Sequence, residues 1–263
     1  MAHPTDTAVV ALSPTVVRAY LERIGHPPVE APDEEALASL QDAHVRNVPF
    51  ENLDIHLGRR LSLDLDRLVD KVVTKRRGGF CFELNGLFHA LLASLGFDAW
   101  LVEARSLEDG ELGPRFDHAR VLVDLDVQVV VDVGTGASPR GPIELSDRPQ
   151  TIGAVTYRTR KVNGRYLTEQ RDGDTWTPGW TFDTAAHSLD DFAERCHYHQ
   201  ASPDSHFTHK PLCTLVTDDG HVTLSDRQLI TTTGDGRTEV EVDDPLEVLE
   251  RRFGISLPRW PGS

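Results

Sequence analysis

Residues 76–86 read "RRGGFCFELNG", two arginines and two glycines ahead of a cysteine flanked by phenylalanines, with a carboxylate and an amide close behind. A structural cysteine usually sits inside an apolar run, and Cys81 does not. Downstream, Leu84, Leu87, Phe88, Leu91, Leu92 and Leu95 recur at helical spacing and Gly96 closes the series, which predicts a helix with one apolar stripe. Cys81 then falls at the helix N-terminus, one turn before the stripe. Free amides and positive potential at a helix start favour the thiolate, the nucleophilic form of cysteine. Gly78 and Gly79 permit a tight backbone path and the approach of another group. The same residues equally suit a small buried core cysteine whose glycines merely make a turn.

Two more helices are predicted upstream. "SPTVVRAYLERIG" (13–25) begins with a Ser13 cap and Pro14 at the first helical position, spaces Val17, Tyr20, Leu21 and Ile24 along one face, and stops at Gly25. "PDEEALASLQDAHVRNV" (32–48) repeats the pattern with acidic residues in its first turn.

From about residue 99 the period changes to that of strands. In "HARVLVDLDVQVVVDVG" (118–134), Ala119, Val121, Val123, Val127, Val129, Val131 and Val133 are apolar, and the alternate positions carry most of the polar groups. This reads as a half-buried antiparallel hairpin. A turn centred on Leu125 aligns the two apolar faces and sets His118 opposite Asp132, where directly paired Cβ atoms lie about 5 Å apart. A thiol at a helix start, with an imidazole and a carboxylate on one hairpin face, supplies the parts of an activated nucleophile. The histidine would take the thiol proton and the aspartate would orient the ring.

The 263 residues suffice for one large core or two to three smaller ones, at roughly 100–150 residues per domain. A composition that is 39% hydrophobic and 26% charged is that of an ordinary globular protein. The formal charge of −15 argues against nucleic acid or an anionic membrane as the main partner. No apolar run reaches membrane-spanning length, and the opening residues lack the pattern of a signal segment, so a cytoplasmic location is expected. Cys81, Cys196 and Cys213 are too few and too widely spaced for a disulfide framework or a CxxC zinc site.

"RRGGFCFELNGLF" (76–88), "DHARVLVDL" (117–125), "VVVDVGTG" (129–136) and "HVRNVPFENLDIHLGR" (44–59) together resemble the arylamine N-acetyltransferases. The similarity continues through Trp176 and Phe182 to "YHQASPDSHFT" and "GHVTLSDRQLI", nearly the whole chain. It implies an α+β fold with a helical N-terminal domain, a middle β-barrel and a C-terminal α/β lid, placed at residues 1–97, 98–186 and 204–263 with an interdomain segment at 187–203. It also implies a cysteine-protease-like triad of Cys81, His118 and Asp132. Acetyl-CoA would be the acyl donor, without a metal, and an arylamine or arylhydrazine the acceptor, in a ping-pong cycle. Phe50, Phe80, Thr135 and Phe207 are expected to line the substrate pocket. Arg77, Glu83 and Asn85 are expected to support the cysteine loop, with Glu83 a candidate partner for Arg77.

One departure concerns the acceptor. The family's D-V-G-F-G reads "DVGTG" here, so Thr135 stands in place of a pocket phenylalanine. A larger or more polar acceptor side raises a sibling reading: an amide synthase that receives a polyketide chain from an acyl carrier protein and closes a macrolactam. Two other readings use the same residues, a thiol hydrolase with a wet pocket and a catalytically silent acyl-binding module. His197, His199, His206 and His209 lie close together, but no carboxylate or cysteine completes a metal-ligand spacing. The residues that grip the CoA phosphates are not singled out, although Arg171, Lys210 and Arg227 are candidate cations.

Overall fold

The computed structural model describes residues 11–108 and 110–261. The opening residues 1–10, in which no signal segment is expected, lie outside the described residues. Helices α1 (Pro14–Ile24) and α2 (Glu34–Asn47) form over the two segments where helical spacing predicts them. The Ser13 hydroxyl accepts from the Val16 amide, the Asp33 carboxylate accepts from the Ala36 amide, and Gly25 ends α1 in the left-handed region at φ 71°. A short strand β1 (Phe50–Glu51), two four-residue helices α3 (Leu53–His56) and α4 (Leu65–Leu68), and a π-helical turn at Val69–Thr74 lead to α5 (Cys81–Ser94).

Cys81 is the first residue of α5, as its spacing predicts. The single stripe is not observed: every residue from Cys81 to Phe88 is buried, so α5 is a central helix enclosed on all sides rather than an amphipathic one. Helices pack on one flank and strands on another, and at Gly86 a Cβ would fall 2.7 Å from the side chain of Leu189. Burying each of the helix's leucines contributes about 2 kcal/mol.

The strands form two antiparallel sheets. The larger holds β2 (Asp98–Glu108), β3 (Glu111–Leu112), β4 (His118–Asp124), β5 (Val129–Val131), β6 (Ile143–Glu144), β7 (Gln150–Ile152), β8 (Val155–Val162), β9 (Arg165–Asp172) and β10 (Thr175–Phe182), in the order β6-β5-β4-β2-β10-β9-β8-β7, with β3 against β2. Its two edges nearly meet. The Gln150 side chain spans them, accepting from the Glu144 amide at 2.8 Å and donating to the Glu144 carbonyl at 3.1 Å, which makes the sheet an almost closed barrel. Both faces of β4 are buried, not one: Ala119, Val121 and Val123 join the core around α5, while Leu122 packs with Val102, Val130 and Phe182 on the other face.

After a 3-10 turn at Leu189–Phe192 and α6 (Ala193–Ala201), the second sheet holds β11 (Leu212–Val216), β12 (Gly220–Ser225), β13 (Gln228–Thr233) and β14 (Gly236–Glu241), followed by α7 (Pro245–Phe253). Its fifth strand is β1, which pairs with β11. The N-terminal segment is thus built into the C-terminal sheet, and Asn52 secures the join by accepting from the Leu212 amide at 2.7 Å and donating to the Phe207 and Lys210 carbonyls at 2.9 Å each. Among the described residues, no helix is long and apolar enough to cross a membrane.

Candidate active site

The glycines before Cys81 have a defined task. Gly79 accepts from the Glu51 amide at 2.9 Å and donates to the Pro49 carbonyl at 3.2 Å, so the loop runs directly beside β1. At Gly78 a Cβ would sit 2.1 Å from the Pro49 carbonyl oxygen, which no side chain can occupy. Beneath the loop lies a charged brace. Arg77 donates twice to Glu51 (3.0 and 2.6 Å) and once to Asp54 (3.1 Å). Glu83 takes Lys71 instead (2.9 and 2.8 Å) and accepts from the Phe80 amide at 2.8 Å, closing the first turn of α5. The expected Arg77–Glu83 pair is therefore corrected: both ion pairs draw partners from outside the motif, because the carboxylates of β1 and α3 reach the loop first.

His118 begins β4 and Asp132 follows β5. Their Nε2 and Oδ2 atoms lie 2.8 Å apart, both side chains buried. The register is not the one the alternation predicts. Val121 pairs with Val131 and Val123 with Val129, which shifts the turn by one residue and sets Asp132 beside Arg120 rather than His118. His118 reaches the carboxylate along the diagonal, and Arg120 Nε donates to the same oxygen at 3.1 Å. The loop between the strands takes four residues, Leu125–Gln128, which no turn dipeptide announces.

Asp132 Oδ1 accepts from Asn85 Nδ2 and from the Gly134 amide, each at 3.0 Å. Asn85, one turn along α5 from Cys81, also accepts from the Val133 amide at 3.0 Å and donates to the Ala119 carbonyl at 2.7 Å. One amide side chain thus joins the cysteine helix to both strands. Gly134 lies against the start of α5: a Cβ there would fall 2.4 Å from Asn85 Nδ2 and 2.9 Å from both Cys81 Cα and its carbonyl oxygen. Gly134→Ala should cost about 1–3 kcal/mol through overpacking and slow the reaction of Cys81 with acyl donors. Thermal unfolding and the rate of acylation check this, and wild-type values in both would show that the contact yields without consequence.

Electrostatics distinguish Cys81 from Asp132. Burial pushes the Cys81 thiol well above its ordinary range, and the neighbouring Cys196 and the Asp132 carboxylate push the same way, whereas the Phe82 amide favours the thiolate. The helix start acts in the expected direction through the Phe82 amide, and burial opposes it more strongly. Nε2 of His118 faces Asp132, which leaves Nδ1 on the opposite side of the ring. The ring is held in plane by Trp180, stacked at 4.6 Å. Burial raises the Asp132 pKa, but His118, Arg120 and Asn85 outweigh burial and hold it down at about 2.

A folded value below the unfolded one means that the ionised carboxylate stabilises the native state fully above about pH 4 and that this contribution is lost as pH falls towards 2. A displacement of that size corresponds to about 2 kcal/mol. Thermal unfolding between about pH 5 and pH 2 should show this limb, and Asp132→Asn should lack it; equal slopes would refute the assignment.

Of the expected pocket residues, Phe50, Phe80 and Phe207 come together with ring centroids 4.5–6.2 Å apart, Phe80 fully buried between the others. Thr135 turns its hydroxyl to Ser138 (3.1 Å). His199 is buried against Phe80 and Phe82, with Asp117 at 3.2 Å and Ser205 at 3.3 Å on its two ring nitrogens. Among the described residues, no group of three or more histidines, cysteines or carboxylates is arranged to hold a metal ion. Arg171, Lys210 and Arg227 are each paired with a surface carboxylate, Asp174, Asp226 and Glu241 respectively. The sequence reading missed Arg120, Lys71 and Trp180. Arg120 was within reach, two residues from His118 on the same strand face; the other two carry no local signal.

A family model for N-acetyltransferase matches residues 33–260. An arylamine N-acetyltransferase / N-hydroxyarylamine O-acetyltransferase of Salmonella typhimurium is 32% identical over 92% of this chain and 89% of its own. The chain belongs to the arylamine N-acetyltransferase family. The solved structure of the arylamine N-acetyltransferase from Salmonella typhimurium superposes with a TM-score of 0.87 at 31% identity, over 93% of this chain and 92% of that one. The Mycobacterium marinum arylamine N-acetyltransferase, solved in complex with CoA, gives a TM-score of 0.83 at 27% identity, over 91% and 92%. As an arylamine N-acetyltransferase with the helices and near-closed barrel of that fold, this chain is an enzyme of acetyl transfer to arylamines.

Proposed function

We propose that the chain acetylates arylamines or arylhydrazines from acetyl-CoA by a ping-pong cycle through acetyl-Cys81. The observation that carries this reading is the hydrogen-bonded His118–Asp132 pair, joined to the Cys81 helix by Asn85 and Gly134. His118 Nδ1 takes the Sγ proton, and Sγ attacks the thioester carbonyl. The carbon–sulfur bond to CoA breaks, and the imidazolium returns its proton to the departing CoA thiolate. In the second half the amine nitrogen attacks acetyl-Cys81, His118 accepts the proton that nitrogen gives up, and the cysteine sulfur leaves. Asp132 stays ionised throughout and stabilises the imidazolium. Backbone amides at the start of α5 are suited to hold the developing oxyanion. The cluster of Phe50, Phe80 and Phe207 suits an aromatic acceptor, and the CoA-bound Mycobacterium marinum relative supports CoA as the donor's carrier.

Intact mass after brief mixing with acetyl-CoA, without amine, tests the reading. Wild type should gain one acetyl group that Cys81→Ala does not, and an aminobenzoate or a hydrazide should discharge it. An alkylatable but unacetylated Cys81 would move the assignment to another acyl donor, such as a carrier-bound chain. An inert Cys81 would end it.

A further inference from the structure

Behind the catalytic loop, a cavity of about 660 Å³ opens between the α3–α4 region and the segment Ser256–Pro258, and none of Cys81, His118 and Asp132 lines it. Six of its lining side chains are cationic against three carboxylates, in a chain whose net charge is −15. The cations differ in how they are held. Arg77 and Lys71 form the floor and are neutralised by Glu51, Asp54 and Glu83. Lys75 meets Asp70, and Arg59 reaches Asp54 only at 3.5 Å with half of its side chain exposed. Arg60 and Arg67 are exposed and, among the described residues, pair with no carboxylate.

Unpaired arginines are ordinary on a basic protein, where they serve solubility. Here the lining of one concavity in a strongly acidic chain carries six cations against three carboxylates, a local excess that favours an anion. Guanidinium forks match phosphate oxygens bidentately, and the volume is that of a small-molecule site. Ser62 and Ser256 add hydroxyls to the lining. We propose that this cavity binds a small, multiply charged anion of the phosphate-ester or diphosphate class, with Arg60 and Arg67 supplying its uncompensated charge. Because Lys71 and Arg77 also hold Glu83 and Glu51 under the Cys81 loop, an occupant sits on the brace of the catalytic cysteine. Two sources fit the same chemistry: the nucleotide phosphates of the acyl donor, or a separate phosphorylated molecule.

Titration calorimetry with inorganic pyrophosphate at low ionic strength tests the site without any need for acetyl transfer. Wild type should bind, more weakly as salt rises, and R60Q/R67Q should bind about tenfold more weakly, with an unchanged thermal transition showing that the variant is folded. Repeating the titration with saturating CoA separates the sources: displacement assigns the cavity to the donor's phosphates, and undiminished binding assigns it to a second molecule. No binding to wild type, or equal binding to R60Q/R67Q, would overturn the proposal.

Discussion

Asp132→Asn is expected to lower acetyl transfer roughly ten-thousand-fold while leaving the chain folded. The reason lies in the company the carboxylate keeps. Its four partners, Asn85 Nδ2, the Gly134 amide, Arg120 Nε and His118 Nε2, approach as donors. An asparagine must turn its own NH2 towards two of them. Facing Asn85 and Gly134, it opposes one amide group with another; facing His118 and Arg120, it draws the imidazole into the tautomer with the proton on Nδ1. That tautomer cannot accept the Cys81 proton, and without that transfer burial keeps the thiol neutral. Single-turnover acetylation of Cys81 measures the loss. Nitrogen chemical shifts of His118 should report the moved proton, which a purely structural defect would not produce. Activity within tenfold of wild type would remove Asp132 from the catalytic account.

Arg77→Met should cost about 3–5 kcal/mol in stability, the largest loss expected from any single change in the brace. Burial disfavours the Arg77 charge, and Glu51 and Asp54 more than restore it, so the residue is held cationic. Methionine fills the stem's volume but leaves Glu51, fully buried, with only the Leu53 amide at 2.8 Å as a hydrogen-bond partner among the described residues. An uncompensated interior carboxylate either takes up a proton or opens the loop to water, and both displace the backbone beneath Cys81. Arg67→Gln, at an exposed and unpaired position, should by contrast stay within about 0.5 kcal/mol. Urea unfolding of the two variants decides the matter: a lowered midpoint with an unchanged slope for the first only is the expected result. A loss below about 1 kcal/mol for Arg77→Met would mean that the brace is not needed for folding.

Much of this was legible in the chain. Helix boundaries at Ser13 and Gly25, and the position of Cys81 at the start of α5, follow from local capping and spacing, in which each residue acts on its near neighbours. The approach of His118 to Asp132 was legible too, because both sit on one alternating run, although the register that joins them was not. What failed were inferences that needed a neighbour from elsewhere. The half-buried hairpin proved buried on both faces, since α5 covers one side and the rest of the barrel fills the other. The stripe of α5 dissolved for the same reason.

The sequence by itself determined where α1, α2 and α5 begin and which chemically apt residue types stand near those starts, because capping, backbone freedom and side-chain period are short-range properties. Only the tertiary structure decided the register that seats Asp132 beside Arg120 and lets His118 reach it diagonally. It alone set Glu51 and Asp54 on Arg77, gave Glu83 to Lys71, and buried the Cys81 thiol deeply enough to disfavour its ionisation. Those outcomes turn on burial and on distances between segments far apart along the chain. Desolvation and Coulomb interaction act through space, and the order of residues does not state which charges will share it.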